Sequence, residues 1–292
     1  MQIRVESLQQ ELIERAGKTN ATSDEYFAQA FRSLAGLIKT LSRFIKLYHG
    51  VDVTDILKIG GLASGSIKAH WRGHTGNKRF IEAWTWSVLL NSVFANPFSI
   101  FGPQGQGANN LWMIMFGTSH CDGWPLPTSQ SEDWRQATME QLMCMVDQDI
   151  ITERKTKTNL DFVEALMMEE HENIIKFIES GLALITPSVD SNRVSGIVDK
   201  AFALAMQMSL QRSRLQVTFP RIGSAFNKAE MSPVADDEDD DVQYEYVALV
   251  VAPGLTNWGN SHGKNLDDRY DIVRAMVQPK DSSEAMEGVS LI

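Results

Sequence analysis

The sequence predicts a mainly α-helical protein: a multi-helix globular bundle around a central apolar helix, with a small extended or β element near the C-terminus. Between Glu82 and Asp122 the chain has no Asp, Glu, Lys or Arg, and the first half of this stretch is rich in large apolar residues. A helix that is apolar on nearly every side must be surrounded by protein or by lipid. Several other segments repeat apolar residues every three or four positions, which indicates amphipathic helices that can surround it.

The composition is that of a globular protein with an acidic balance. At 292 residues, 43% of them apolar, the chain can bury the core of one large or two modest domains. The net charge of −10 disfavours a protein that coats nucleic acid or an anionic membrane. The two cysteines, Cys121 and Cys144, lack C-x-x-C spacing, so neither a disulfide framework nor a thiolate zinc site is expected. We therefore expect an intracellular protein, cytoplasmic or nuclear, because a reducing compartment suits free thiols.

The apolar stretch does not predict a membrane span. It is interrupted by Asn91, Asn96 and Pro97, so its continuous apolar part is about half of the roughly 20 residues that a transmembrane helix needs. The first residues carry charges throughout and lack the apolar run of a secretory signal. We expect no association with a membrane.

Changes in composition divide the chain into five parts. Residues 1–20 predict an N-terminal helix, either a packing helix or the end of a coiled coil, and residues 21–230 predict a helical core domain. An acidic mobile linker is expected at 231–243, because a run of six consecutive acidic residues is usually solvated. Residues 244–280 predict a C-terminal strand and loop packed on the core, and residues 281–292 predict a frayed tail.

Amphipathic helices are expected on several sides of the apolar one. The clearest has a basic outer face, and Thr22 and Glu25 lie before it at capping-box spacing. The basic QRSRLQ sequence is expected to form the last turns of another helix, where positive charge is favourable. FGPQGQGANN, which follows the apolar helix, predicts a flexible turn. The predicted amphipathic helices lie at 27–48, from 131 to the ERKTK sequence, at 161–184 and at 193–215.

The connector at 51–78 holds the candidate site. Its IGGLASGS sequence is Gly-rich but lacks the residue order of a P-loop, so nucleotide binding is not expected. The connector also carries basic residues in an otherwise acidic chain, and such a cluster can bind a phosphate or an acidic partner. The competing interpretation is a solvated loop that meets the protein's own acidic run at 236–241. The candidate anion or partner patch consists of Lys68, His70, Arg72, His74, Lys78 and Arg79.

No catalytic residue, cofactor site or metal site is predicted. The position four residues after His171 is Ile175, so the H-E-x-x-H zinc pattern fails and a surface histidine is expected. His120 and Cys121 are adjacent in sequence, and adjacent side chains rarely face one another as proton transfer requires. The acidic run lacks the spaced ligands and the glycine of an EF-hand loop.

Two stretches, NKRFIEAWTWSVLLNSVFANPFSIFG and VVAPGLTNWGNSHGKNLDDRYDIVRAMVQ, carry a resemblance. Together they resemble a pattern in uncharacterised fungal helical protein families, in which an Ala-Trp-x-Trp helix precedes a Pro-Gly-Leu…Trp-Gly…Leu-Asp-x-Arg segment. They cover about a fifth of the chain. The resemblance implies no activity. It implies that the apolar helix and the C-terminal strand belong to one domain, at the end of a longer protein.

Three functions are compatible with these observations. The leading hypothesis is a non-enzymatic intracellular helical interaction or regulatory module that acts through protein partners or self-association. One alternative is an enzyme or small-ligand binder whose pocket is formed by the Gly-rich loops, with His70, His74, His120, His262 and Asp268 as the groups that would converge. Another alternative is contact with nucleic acid through the basic connector and the outer face of the first long helix, which carries Arg32, Lys39, Arg43 and Lys46.

Overall fold

The computed structural model describes residues 22–58, 74–117, 120–121, 123–146, 162–234 and 246–280. The helix predicted at 1–20 and the tail at 281–292 lie outside these residues. Within them, the seven α-helices are α1 (Asp24–Phe44), α2 (Val53–Ile56), α3 (His74–Ser92), α4 (Gly102–Phe116), α5 (Ser129–Met143), α6 (Phe162–Ala183) and α7 (Ser191–Ser209). The strands are β1 (His120–Cys121), β2 (Trp124–Pro125), β3 (Arg214–Thr218), β4 (Met231–Pro233), β5 (Tyr246–Ala252), β6 (Gly254–Trp258), β7 (Arg269–Val273) and β8 (Ala275–Lys280).

The apolar helix, α3, is enclosed by its neighbours. All seven residues from 83 to 89 are buried, so no side of this part of the helix faces solvent. Trp86 stacks on Phe31 of α1, with ring centroids 5.1 Å apart. On another side, Trp84 stacks on Phe177 of α6 at 6.5 Å. Aromatic pairs at these separations add about 0.5–1.5 kcal/mol each to the free energy of burial.

A strand covers α3 where a helix was expected. The apolar run of β5 packs against α3, and every residue of β5 after Tyr246 is buried. The helix predicted at 193–215 has its largest contacts with α1, α6 and β3. A strand that is apolar on both faces can fill this position because it needs cover on both sides.

The extended part of the fold is larger than the single small element predicted. β3, β6 and β7 form an antiparallel sheet. A second sheet has the order β4, β8, β5, in which β8 pairs parallel with β4 and antiparallel with β5. The prediction of a mainly helical protein is therefore confirmed in part: the described residues are mostly helical, but two three-stranded sheets accompany the helices.

The helix predicted at 193–215 ends six residues early. α7 ends at Ser209, and the chain then turns into β3. The QRSRLQ sequence was expected to complete the helix, but Leu215 pairs with Asn257 of β6 and is buried. Arg214, predicted as part of the basic last turns of that helix, is fully buried in β3.

The Gly-rich sequence predicted as a flexible turn forms most of α4. Gly105 is required there, because a Cβ atom at this position would overlap the carbonyl oxygen of Phe98. Further along the helix, the indole of Trp112 is fully buried and donates from Nε1 to the Ser131 carbonyl at 3.2 Å. Each helical glycine costs about 1 kcal/mol relative to alanine, and the buried tryptophan offsets that cost.

One hydrophobic cluster joins the predicted core domain to the predicted C-terminal element. It contains residues of α1, α3, α6 and α7 together with Val247, Leu249 and Val277 of the second sheet. The predicted linker at 231–243 begins with β4, which pairs with β8. Its acidic part falls in 235–245, outside the described residues.

Three buried charges link α5 to β3. Arg135 donates from Nε to Glu132 Oε2 at 2.6 Å, and Arg214 donates from Nε to Glu132 Oε1 at 3.0 Å. Arg135 also donates to the carbonyl oxygens of Ser209 and Gln211, at 2.5 and 2.6 Å. Burial raises the pKa of Glu132, but the charges and hydrogen bonds of the two arginines outweigh burial and hold the pKa below its ordinary value of 4.5.

Replacing Glu132 should therefore destabilise the protein strongly. Glu132→Gln leaves two buried guanidinium groups without a counter-charge, and we expect a loss of about 3–5 kcal/mol at neutral pH. A carboxyl whose pKa is lowered by folding stabilises the native state above its ordinary pKa, and this stabilisation is lost as the pH falls below 4.5. When urea unfolding is measured at a series of pH values, the free energy of unfolding of the wild type should include this contribution and lose it below pH 4.5. The free energy of unfolding of the variant should lack it. Asp133→Asn, at the exposed neighbouring position, is the control, and equal losses in both variants would contradict the role of Glu132.

Two glycines should respond in opposite ways to the same substitution. A Cβ atom on Gly181 of α6 would lie 2.5 Å from Cζ2 of the buried Trp84 ring, so Gly181→Ala should destabilise by about 1–3 kcal/mol. Gly196 of α7 has no atom within 4 Å of the corresponding position. Gly196→Ala should stabilise by about 0.5–1 kcal/mol, because alanine is the better helix former. If Gly181→Ala raised the free energy of unfolding as Gly196→Ala does, the contact between α6 and α3 would be looser than described.

Candidate anion-binding cleft

The segment after α1 is fixed against the connection between α6 and α7. The amide of Tyr48 donates to the Ile185 carbonyl at 3.0 Å. The hydroxyl of Thr186 donates to the Lys46 carbonyl at 2.8 Å. These bonds use backbone atoms of residues 46 and 48, so the side chains of this segment remain available for other contacts.

A turn then directs the chain toward α2. Gly50 has φ +75°, in the left-handed region that glycine adopts without strain. Asp52 caps α2, because its Oδ1 atom accepts from the Thr54 amide at 2.9 Å and from the Thr54 hydroxyl at 2.6 Å. The segment is thus held at both ends.

A cleft of about 500 Å³ lies between this segment, the end of α1 and the start of α3. Its volume is within the range of small-molecule and peptide sites. Aliphatic side chains form part of its wall and polar side chains form the rest. The lining residues are Ser42, Ile45, Lys46, Leu47, Tyr48, His49, Gly50, Val51, Asn77, Lys78 and Ile81.

The ionisable lining residues other than tyrosine are all basic. Lys46, His49 and Lys78 contribute to the wall, and among the described lining residues there is no Asp or Glu. The chain as a whole carries a net charge of −10. A concave surface with cationic groups and aliphatic walls favours an anionic group attached to an apolar body.

The half-buried carboxyl of Glu82 is bonded to a residue of the cleft wall. The hydroxyl of Ser42 is 2.9 Å from Glu82 Oε1 and 2.9 Å from the Lys39 carbonyl oxygen, so its single proton serves one of these acceptors at a time. Burial raises the pKa of Glu82 above its ordinary value. The Ser42 hydrogen bond and the charges of Lys39, Arg43 and Arg79 act in the opposite direction but do not cancel the effect of burial.

The predicted patch reaches this cleft through one of its members. Lys78 lines the cleft and is exposed, whereas Arg79 donates to the side chain of Gln278 on β8. His74 begins α3. The remaining three members lie outside the described residues: Lys68, His70 and Arg72.

Most of the cleft is not predicted from the sequence. The sequence predicts Lys46 only as part of a basic helix face, and it predicts no role for His49 or Asn77. The sequence contains one usable signal, the glycine at position 50 that ends the predicted helix. The cleft itself depends on the bond between Tyr48 and Ile185, which no local pattern predicts.

The expectation for His171 is wrong. Its ring is 6% exposed and packs edge-on against Phe202 at 5.0 Å. Its Nε2 atom lies 2.8 Å from Asp199 Oδ1 on α7. Within the described part of the chain, its Nδ1 atom has no hydrogen-bond partner. A signal was available, because His171 is in register with the apolar stripe of α6 at positions 167, 174 and 178.

The pocket predicted for an enzyme or small-ligand binder does not coincide with this cleft. His262 and Asp268 are exposed on the loop between β6 and β7, and neither lines the cleft. The Gly-rich sequence expected to form one wall of that pocket is the start of α4.

No group of three or more His, Cys, Asp or Glu side chains is arranged to hold a metal ion in the described ranges. In the same ranges, no helix is both long enough and apolar enough to span a membrane. Comparison with protein-family models, with curated proteins and with solved structures finds no match for this chain. The resemblance to fungal helical families therefore stays a prediction.

Glu82 should make the protein less stable at neutral pH than it would be with a neutral side chain. A carboxyl whose pKa is raised by folding favours the native state only while it is protonated, so stability falls as the pH rises from 4.5 through the raised pKa. We expect Glu82→Gln to raise the melting temperature at pH 7, since glutamine keeps an acceptor for Ser42. The gain should disappear below pH 4.5.

Glu172→Gln, on the exposed side of α6, is the matched control and should show no such gain. A Glu82→Gln variant that is less stable than the wild type at pH 7 would mean that the neighbouring cations outweigh burial.

Proposed function

We propose that this protein is a non-enzymatic interaction module that binds an acidic segment of a partner protein in the cleft. The observation that carries the proposal is the lining itself: Lys46, His49 and Lys78 line the cleft and none of its described lining residues is acidic, in a chain of net charge −10. We place this activity in the cytoplasm or nucleus, because two cysteines without disulfide or zinc spacing suit a reducing compartment.

The cleft fits a short peptide segment better than a bare ion. Its cationic groups lie next to aliphatic side chains of Ile45, Leu47 and Ile81. A segment that alternates carboxylate and apolar side chains would satisfy both kinds of wall. Exposed ion pairs contribute about 0.2–1 kcal/mol each, so we expect weak binding that high salt weakens further.

An enzymatic function is a less favoured hypothesis for the same cleft. Ser42 and His49 both line it, and Glu82 is next to Ser42, so the residue types of a hydrolase triad are present. However, no hydrogen bond joins Ser42 to His49 in the described part of the chain. The Ser42 hydroxyl instead faces Glu82 and the Lys39 carbonyl. A serine nucleophile needs its base within hydrogen-bond reach.

Contact with nucleic acid is a second candidate, because the basic side of α1 continues into the cleft. Lys39 and Arg43 are four residues apart in α1, which places them on one side of the helix, and Lys46 follows two residues after the helix ends. The acidic balance of the whole chain and the limited size of the cleft favour a peptide over a polyanion.

Reversal of the lysine charges tests the proposal. We expect a fluorescein-labelled oligo-glutamate peptide to bind the wild type at low salt, and the matched oligo-glutamine peptide not to bind. Lys46→Glu and Lys78→Glu should each weaken binding by roughly 2- to 30-fold, as each replaces an attraction by a repulsion of similar size. Lys264→Glu, on the loop between β6 and β7, changes the net charge equally outside the cleft and should bind like the wild type. Fluorescence anisotropy measures all four proteins.

Three outcomes would contradict the proposal. One is no binding of oligo-glutamate by the wild type at low salt, and another is equal binding of the glutamate and glutamine peptides. The third is an equal loss in the Lys264→Glu control, which would indicate attraction to the whole surface. Tighter binding of a short single-stranded oligonucleotide, with a steep dependence on salt, would favour the nucleic-acid alternative.

A further inference from the structure

Helix α4 has an unusual outer surface. Of the seven helices in the described ranges, it is the one whose sequence, GPQGQGANNLWMIMF, contains no ionisable side chain. Its inner side is fixed by Gly105 and Trp112, which are buried. Its orientation on the protein is therefore set, and the opposite side faces outward.

The outward side carries a row of apolar residues. Ile114 is 79% exposed, the highest value among the large apolar side chains in the described residues, and Leu111 and Met115 are about half exposed. The spacing of three and four residues places them on one stripe of the helix. Gly107 continues the stripe one turn earlier, and nothing lies within 4 Å of the position its Cβ would take. Single exposed apolar residues are ordinary, but a contiguous row is typical of an interaction surface.

The lack of charge on α4 and the open space at Gly107 fit a second copy of the same chain as the occupant. Two copies with a net charge of −10 repel each other, and that repulsion is smallest where the contacting surfaces carry no charge. A strongly charged partner would have to give up hydration against α4 and would find no counter-charge on the helix. An uncharged, apolar stripe is complementary to itself, as a two-fold symmetric interface requires.

Antiparallel packing of two α4 helices also matches large residues with small ones. When residues 110 and 111 lie at the two-fold axis, position 114 of one copy faces position 107 of the other. The side chain of Ile114 then enters the open space beside Gly107 of the second copy. Small residues at such positions let two helices approach closely.

We infer that the protein forms a symmetric dimer in which the stripe of Gly107, Leu111, Ile114 and Met115 packs antiparallel against the same stripe of a second copy. A helix of 15 residues is roughly 22 Å long. Burial of this helix against its copy gives an interface area of below about 1,200 Å² in total, at the low end for specific interfaces. The dimer should therefore dissociate on dilution. This inference does not rest on the cleft or on its ligand.

Sedimentation equilibrium at several protein concentrations tests the dimer. The wild type should shift from monomer to dimer as its concentration rises, and Ile114→Asp should remain monomeric. Leu184→Asp is the matched control, because it introduces the same charge at another apolar side chain that is 62% exposed. It should dimerise like the wild type. Higher salt should strengthen dimerisation, since it screens the repulsion between copies, whereas it weakens anion binding in the cleft.

A pair of substitutions tests the antiparallel geometry. The leucine of Gly107→Leu has free space within its own copy, but it would occupy the space that Ile114 of the other copy needs. The variant should therefore be monomeric, and circular dichroism should show that its fold is intact. Adding Ile114→Ala to Gly107→Leu exchanges the large and small positions and should restore the dimer. A monomeric wild type at all concentrations would overturn the inference. So would a Gly107→Leu variant that dimerises normally, or a double variant that stays monomeric.

Discussion

The arrangement of the other elements depends on the ion pairs that the Glu132 carboxylate forms with Arg135 and Arg214. Arg135 donates to the carbonyls of Ser209 and Gln211, where α7 ends and leaves carbonyl groups without helical partners. A positive charge at this end is also favourable for the helix dipole. The chain can therefore leave the helix, turn, and place Arg214 in β3 against the same carboxylate. One buried acid thus determines where α7 ends and where the first sheet begins.

The accuracy of the sequence predictions followed the range of the interactions involved. α1 and α6 were predicted within a few residues, because their apolar periodicity is a local property of the chain. β3 was predicted as helix, since the reason for its position, Glu132, lies 82 residues away. The Gly-rich first part of α4 was predicted as a turn, because the close approach of Gly105 to Phe98 is a tertiary contact that composition does not reveal. In the cleft, Lys78 was predicted as a member of the basic patch, which is a local property of the sequence. His49 was not predicted, because the cleft depends on the long-range bond between Tyr48 and Ile185.

The surface divides into regions with different physical uses. The cleft gathers cations in an acidic protein, which suits recognition that depends on salt and on the sign of the partner's charge. The outer side of α4 carries no charge and exposes apolar area, which suits contact driven by exclusion of water. A module with both surfaces could present two clefts at once, and a partner with two acidic segments would then bind the pair far more tightly than one copy.

The position of β8 in its sheet has a consequence for how the protein is made. β8 lies between β4 and β5, yet it follows both in the chain. On the ribosome, β5 therefore emerges before the strand that completes its pairing, while its apolar side chains already have α3 to pack against. The same late strand carries Gln278, the partner of Arg79 at the start of α3. Closure of the sheet through such distant pairing is slow compared with helix formation, so β4 and β5 have no strand between them until synthesis reaches β8.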